Sequence, residues 1–240
     1  MSDIKEDYTH NLSKTLQYNT DDPVSQIHEL GIDIKGNNIY LHGNFGTVIE
    51  ECEDEPGVDY KMTTTFIKNI QILQSRSDKT IVIHSMTCGG DWMYGMAIYD
   101  AIKSCPNDVV IVNWTHARSM SSIFFQAADK RVMVPTSRFM FHEGMICLAL
   151  NDNSYRRLLT EVEEETKNQE RMLNIYADIM YKSGKWKGKT KLHIYDWLIE
   201  TMKDKHDVYL TAEETVKYGL ADEVFGANGK YDWDELVKVK

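Results

Sequence analysis

At 240 residues, 42% hydrophobic and 27% charged, the chain can bury a core without disulfides or metal and fits one α/β domain with decorations. Its net charge of −10 argues against a nucleic-acid partner, which calls for a basic stripe, and the four scattered cysteines (Cys52, Cys88, Cys105, Cys147) read as thiols of a reducing compartment. No apolar run approaches the about 20 residues that span a bilayer, and the polar start Met1-Ser2-Asp3-Ile4-Lys5 lacks the apolar stretch of a signal peptide, so a cytoplasmic protein without a membrane segment is expected.

Residues 1–35 are polar and weakly periodic and read as an N-terminal extension or arm. A first strand is expected at 38–42, and 50–59 reads as an acidic loop carrying the turn dipeptide Pro56-Gly57. Phe66, Ile67, Ile70 and Leu73 then recur at helical spacing, followed by a β-branched strand at 79–84. Gly89-Gly90 makes a turn into a helix over 92–103, which Pro106-Asn107-Asp108 stops, and 109–113 is a fully apolar strand. Strand, helix and strand in that order predict βαβ units and a parallel sheet buried on both faces. A short helix over 119–128, strands at 131–134 and 138–142, one long helix over 152–182 and another over 193–203 complete the regular part. The lysines between the last two helices (Lys182, Lys185, Lys187, Lys189, Lys191), interleaved with Gly184, Trp186 and Gly188, read as a solvated loop. Thr211-Ala212-Glu213-Glu214 has the form of a capping box, and Gly219 ends the helix it starts.

The candidate chemistry lies at element ends. Gly89-Gly90, between a buried strand and a helix, can turn backbone N–H groups outward with no Cβ in the way, although a plain tight turn needs the same residues. Ser119 follows a second buried strand, where open α/β sheets place their sites, but serine is also a preferred helix N-cap. His142 closes a strand, and Asp207 lies in a later loop. A serine hydroxyl needs a base to take its proton and a carboxylate to orient that base, so Ser119, His142 and Asp207 are candidate nucleophile, base and orienting group. His116 and His84 are rival bases, less favoured than His142, and His206 reads as solvated. The histidines lack metal-ligand spacing, and no Gly-x-x-x-x-Gly-Lys-Ser/Thr loop occurs, so no metal and no cofactor is expected in this chain.

Several motifs together resemble the proteolytic subunit of the Clp protease family. Cys88-Gly89-Gly90 and Gly95-Met96-Ala97-Ile98-Tyr99-Asp100 resemble its Pro-Gly-Gly turn and Gly-Met-Ala-Ile-Tyr-Asp. Ala117-Arg118-Ser119-Met120 is similar to its Ala-Ala-Ser-Met nucleophile motif. The segment from Pro135 to His142 resembles Pro-Asn-Ser-Arg-Val-Met-Ile-His, and Asp207-Val208-Tyr209-Leu210-Thr211-Ala212-Glu213-Glu214 resembles Asp-Arg-Phe-Leu-Ser-Ala-x-Glu.

The resemblance implies a crotonase-type (ClpP-like) βαβ superhelix over 36–226, with a protruding handle helix at about 150–183, an insertion at about 182–191 and a tail at 227–240. It implies a serine endopeptidase in which Ser119, His142 and Asp207 form the triad and the N–H groups of Gly90 and Met120 form the oxyanion hole. It also implies a homo-oligomeric, heptameric ring, alone or stacked in pairs, that cleaves unfolded polypeptide delivered by a separate AAA+ unfoldase using ATP. A catalytically weak ring scaffold and a crotonase-fold acyl-CoA enzyme are the alternatives. Departures bear on them: Cys88 stands for proline, Arg118 for alanine, Ser121 for glycine, and Asp91 places a carboxylate where it would repel an oxyanion if it faced one. His206 and Val208 replace arginines that flank the aspartate in the family.

Overall fold

The computed structural model describes residues 22–43, 57–144, 154–227, 229 and 231–239. In chain order they form α1 (Pro23–Leu30), β1 (Ile32–Asp33), β2 (Asn38–His42), α2 (Tyr60–Arg76), β3 (Ile81–Thr87), α3 (Trp92–Lys103) and β4 (Val109–Arg118). Then come α4 (Met120–Phe124), a 3-10 turn (Phe125–Ala127), β5 (Lys130–Met133), β6 (Arg138–Phe141), α5 (Tyr155–Met180) and a second 3-10 turn (Gly184–Trp186). The chain ends through α6 (Lys191–Lys205), β7 (Val208–Thr211), α7 (Ala212–Tyr218), β8 (Glu223–Val224) and α8 (Trp233–Leu236).

Ile81 to Ile83 of β3 and Val109 to Val112 of β4 are apolar without a break because both of their faces are covered. Ile81, Ile83, Val109 and Ile111 belong to the larger core beneath α2, α3 and α4, whereas their alternates Val82, Val110 and Val112 belong to a second core with Val132, Val134, Phe225 and Leu236. The strands run in the order β1-β2-β3-β4-β5-β8, parallel except where β1 meets β2. β4 forks: Val110 to Asn113 pair with β5, and His116 to Arg118 pair with β6. This second pairing explains why β4 runs five residues past the expected end at Asn113. β6 in turn pairs antiparallel with β7, in a register that sets Phe141 opposite Val208.

The remaining expectations differ in detail. The expected helix at 119–128 is α4 and a 3-10 turn, and Ser119 stands outside it. α1 and β1 lie within the stretch read as a polar arm: Asp22 caps α1, Gly31 ends it at φ 63°, and Ile32 and Asp33 pair with Ile39 and Asn38. Residues 1–21, 44–56 and 145–153, which hold the rest of that arm, most of the acidic loop and the expected handle start, lie outside the described residues. The lysine-rich stretch is no plain solvated loop, because its Trp186 is buried against Trp197 and Tyr218, and Lys185 Nζ lies 3.8 Å from the Tyr218 ring centroid. The capping box at Thr211 forms with both reciprocal bonds, and Gly219 adopts φ 80°. Among the described residues no helix is long and apolar enough to cross a membrane.

Candidate active site

Strand register builds the site. Arg118 is paired with Met140, and the Ser119 N–H donates to the Met140 carbonyl at 3.0 Å, so the chain leaves β4 beside the end of β6. Because Phe141 faces Val208, the residue after β6 (His142) meets the residue before β7 (Asp207). Three segments separated by 23 and 65 residues thus end at one point, and the forked β4 is the reason.

Ser119 turns the chain sharply from strand to helix at φ 52°, ψ −127°, and its side chain makes no cap bond to α4. For a residue with a Cβ, this backbone costs about 1–3 kcal/mol and persists only where its surroundings hold it. The surroundings are hydroxyls: Ser121 Oγ accepts from the Arg118 N–H at 2.9 Å, and Ser122 Oγ donates to the Ser119 carbonyl at 2.5 Å. Ser122 Oγ also lies 2.7 Å from the phenol of Tyr176, a fully buried residue whose ionisation burial pushes well upward. Ser121, at the position where glycine was expected, therefore staples the turn. Gly89 packs against the turn from below: at φ 98°, a Cβ there would lie 2.5 Å from the Arg118 oxygen and 2.7 Å from the Ser119 Cβ.

Ser119 Oγ is 2.8 Å from His142 Nε2, which separates it from a capping serine and gives it a proton acceptor. The other ring nitrogen, Nδ1, is 3.4 Å from Asp207 Oδ1, longer than a good hydrogen bond. His206 Nδ1 is nearer the same oxygen, at 3.0 Å, and His206 itself adopts φ 57° at the end of α6. His206 is solvent-exposed as expected, with 74% of its side chain accessible, and it shares this carboxylate as well. Burial holds the His142 pKa below the ordinary histidine value, with His206 and Arg118 pushing the same way and Asp207 opposing them. The imidazole is thus neutral at pH 7, as an acceptor must be.

Neither rival histidine reaches Ser119 in place of His142. His116 sits in the β4–β6 ladder opposite Arg138. His84 stacks on Tyr40, accepts from Trp114 Nε1 at 3.1 Å, and has its pKa lowered to about 4 by burial.

Gly90 makes an isolated parallel bridge with Val58, whose bonds use the Gly89 carbonyl and the Asp91 N–H. That pattern leaves the N–H of Gly90 pointing away from Val58. Gly90, Ser119, Met120 and His142 border one cavity of about 530 Å³. Asp91 borders it too, but its carboxylate accepts the Tyr94 N–H at 3.0 Å and caps α3, so the feared repulsion is weakened by a helix start that holds the charge. Among the described residues no cluster of His, Cys, Asp and Glu is arranged to hold a metal ion.

The chain is 30% identical over 173 residues to the ATP-dependent Clp protease proteolytic subunit 2 of Pseudomonas aeruginosa, covering 70% of this chain and 77% of that protein. It is 27% identical over 170 residues to the corresponding subunit of Deinococcus radiodurans, covering 70% and 76%. The structure superposes on a ClpP1 mutant from Listeria monocytogenes with a TM-score of 0.62 at 20% identity, covering 85% of this chain and 96% of that one, which establishes the ClpP-like fold. The family model described as Clp protease matches residues 55–228, and the chain belongs to the Clp protease family as a ClpP-type peptidase.

Proposed function

We propose that this Clp-type protease subunit is an active serine endopeptidase that works through an acyl-enzyme. The observation that carries the reading is the 2.8 Å contact between Ser119 Oγ and a neutral His142 Nε2, with Asp207 at the other nitrogen, beside a cavity able to hold a side chain. As Ser119 Oγ attacks the peptide carbonyl carbon, its proton passes to His142, and Asp207 stabilises the imidazolium. The oxyanion is held by the N–H groups of Gly90 and Met120. His142 then protonates the departing amide nitrogen, the C–N bond breaks, and the acyl group remains as an ester on Ser119. Water repeats the cycle: it gives a proton to His142 and its hydroxide to the acyl carbon, and Ser119 recovers the proton as it leaves.

The reading extends to a homo-oligomeric ring fed by a separate ATP-driven unfoldase, with unfolded polypeptide as substrate. Two things support it. The relatives from Pseudomonas and Deinococcus are named as proteolytic subunits of ATP-dependent proteases. The N-terminal half of α5 also leaves Tyr155, Leu159 and Val162 exposed at helical spacing, an apolar stripe of the kind that self-association covers.

One observation favours the second reading, a catalytically weak scaffold: Asp207 lies closer to His206 than to His142 and is only half-buried. Treatment with a fluorophosphonate followed by intact-mass measurement separates the two. A single adduct on the parent, absent from Ser119→Ala and slowed about 10³-fold or more in His142→Ala, is the expected result. Well-folded parent protein that takes up no adduct overturns it in favour of the scaffold.

A further inference from the structure

α5 enters the active-site cavity as one stripe. Glu165, Asn168, Gln169, Met172 and Tyr176 recur at three- and four-residue steps, which places them on a single helix face, and all five border the cavity. The stripe grades along the helix: Tyr176 and Met172 are buried, whereas Asn168, Gln169 and Glu165 are half-buried. Trp92, Met120 and Ile123 also border the cavity, so it combines an apolar lining with a polar end about two helical turns from Met172.

Charge then decides what fits. Among the described residues the cavity borders include two carboxylates, Asp91 and Glu165, and no lysine or arginine. Asp91 is engaged as the cap of α3. Glu165 is held by lighter contacts: Asn168 Nδ2 donates to its Oε2 at 3.4 Å, and Gly144 leaves the room its Oε1 occupies, since a Cβ at residue 144 would fall on that oxygen. The cation that bears on His142, Arg118, is not among the residues bordering the cavity.

Resting on the serine-peptidase reading, we propose that this cavity receives the side chain on the acyl side of the scissile bond and that Glu165 selects lysine or arginine there. An aliphatic stem would lie along Trp92 and Met172 while its cation reaches the carboxylate, satisfying both halves of the cavity. A norleucine side chain of similar length fills the apolar half but strips water from Glu165 without replacing it, and a glutamate side chain adds repulsion.

The test uses the full chain and peptidyl diphenyl phosphonates that differ only in a terminal arginine, norleucine or glutamate side chain. The readout is the rate of adduct formation at Ser119 by intact mass, with a side-chain-free fluorophosphonate run in parallel. The arginine compound is expected to react about tenfold faster than the norleucine compound, and the glutamate compound slowest. In Glu165→Gln the arginine-to-norleucine ratio falls to about one, and in Glu165→Lys the order of arginine and glutamate reverses. A norleucine compound as fast as the arginine one, or a ratio unchanged in Glu165→Gln, overturns the selectivity while the fluorophosphonate adduct leaves the peptidase reading standing. Folded protein that takes up no adduct even from the fluorophosphonate sinks the peptidase reading and this inference with it.

Discussion

The two faces of the sheet bury equally apolar strands by different means. One face, carrying Ile81, Ile83, Ile111, Phe139 and Phe141, lies under helices that are themselves packed on one another. The other, carrying Val82, Val110, Val112, Val132 and Val134, is closed by Phe225 and by the short α8 through Leu236. Polar ties on that second face are few: Lys130 Nζ donates to the carbonyls of Glu235 and Leu236, and Thr80 Oγ1 to that of Val237. Around it stands a half-open group of rings, with Trp114 36% and Trp233 45% exposed beside the buried His84. The turn at Ser119 is braced through Ser122 and Tyr176 from the helix-covered face. The strained turn at Ser119 thus rests on the helix-covered face, and the lightly tied cover lies on the face away from the candidate site.

The most severe way to break this division is to hollow out the helix-covered face beneath the site. Phe139 is fully buried on β6 and meets the rings of Phe125, Phe141 and Tyr176. Phe139→Ala should cost about 3–5 kcal/mol in urea unfolding. It should also slow fluorophosphonate labelling of Ser119, because β6 positions both the Met140 carbonyl that holds Ser119 and the start of the segment carrying His142. Unchanged labelling in a variant destabilised to that extent would mean that the turn does not depend on this face.

How legible this was in the sequence follows the same division. β3, α3 and α7 could be placed because apolar runs, glycine and proline punctuation and a capping box are local signals. The long helix also came through, since 3.6-residue periodicity survives without knowledge of neighbours. The continuation of β4 through His116 to Arg118 could not, because His116, Ala117 and Arg118 are strand residues by virtue of β6 beside them. β8, with two residues, is too short to announce itself, and β7, with Tyr209 exposed between the buried Val208 and Leu210, carries a single alternation where β5 and β6 end in consecutive apolar residues. The site was readable as residue types at element ends, but what makes Ser119 a turn residue rather than an N-cap is the Met140 and Ser122 bonding, which spacing does not encode. α8 was hidden because its Leu236 and Trp233 have partners more than 100 residues away, as at Val110 and His84.

Acid should discriminate the faces next. His84 has its pKa lowered from 6.5 to about 4 by burial, against a weak opposing effect of Asp33. The unfolded chain therefore binds a proton at His84 more readily than the folded one between those values. Stability from this group is whole above about pH 6.5 and is lost as pH falls towards 4, to a total of about 3 kcal/mol. His84→Phe keeps a ring against Tyr40 and removes the titration, so its unfolding free energy should fall less steeply than that of the parent across this window. Parallel slopes in the two proteins would place the acid sensitivity elsewhere.

The gentlest probe is the cover itself. Leu236→Ala removes the one buried side chain of α8, which is 1% exposed against the valines of the second face. The cost should be about 2 kcal/mol, at the low end for buried leucine, because a segment near the described end of the chain can settle into the space it leaves. Fluorophosphonate labelling at Ser119 should stay within about twofold of the parent, since neither α8 nor the second core borders the active-site cavity. A larger loss of labelling would show that the lightly tied face does communicate with Ser119, and β4, which contributes Val110 and Val112 to one core and carries Ser119 at its end, is the element through which it would do so.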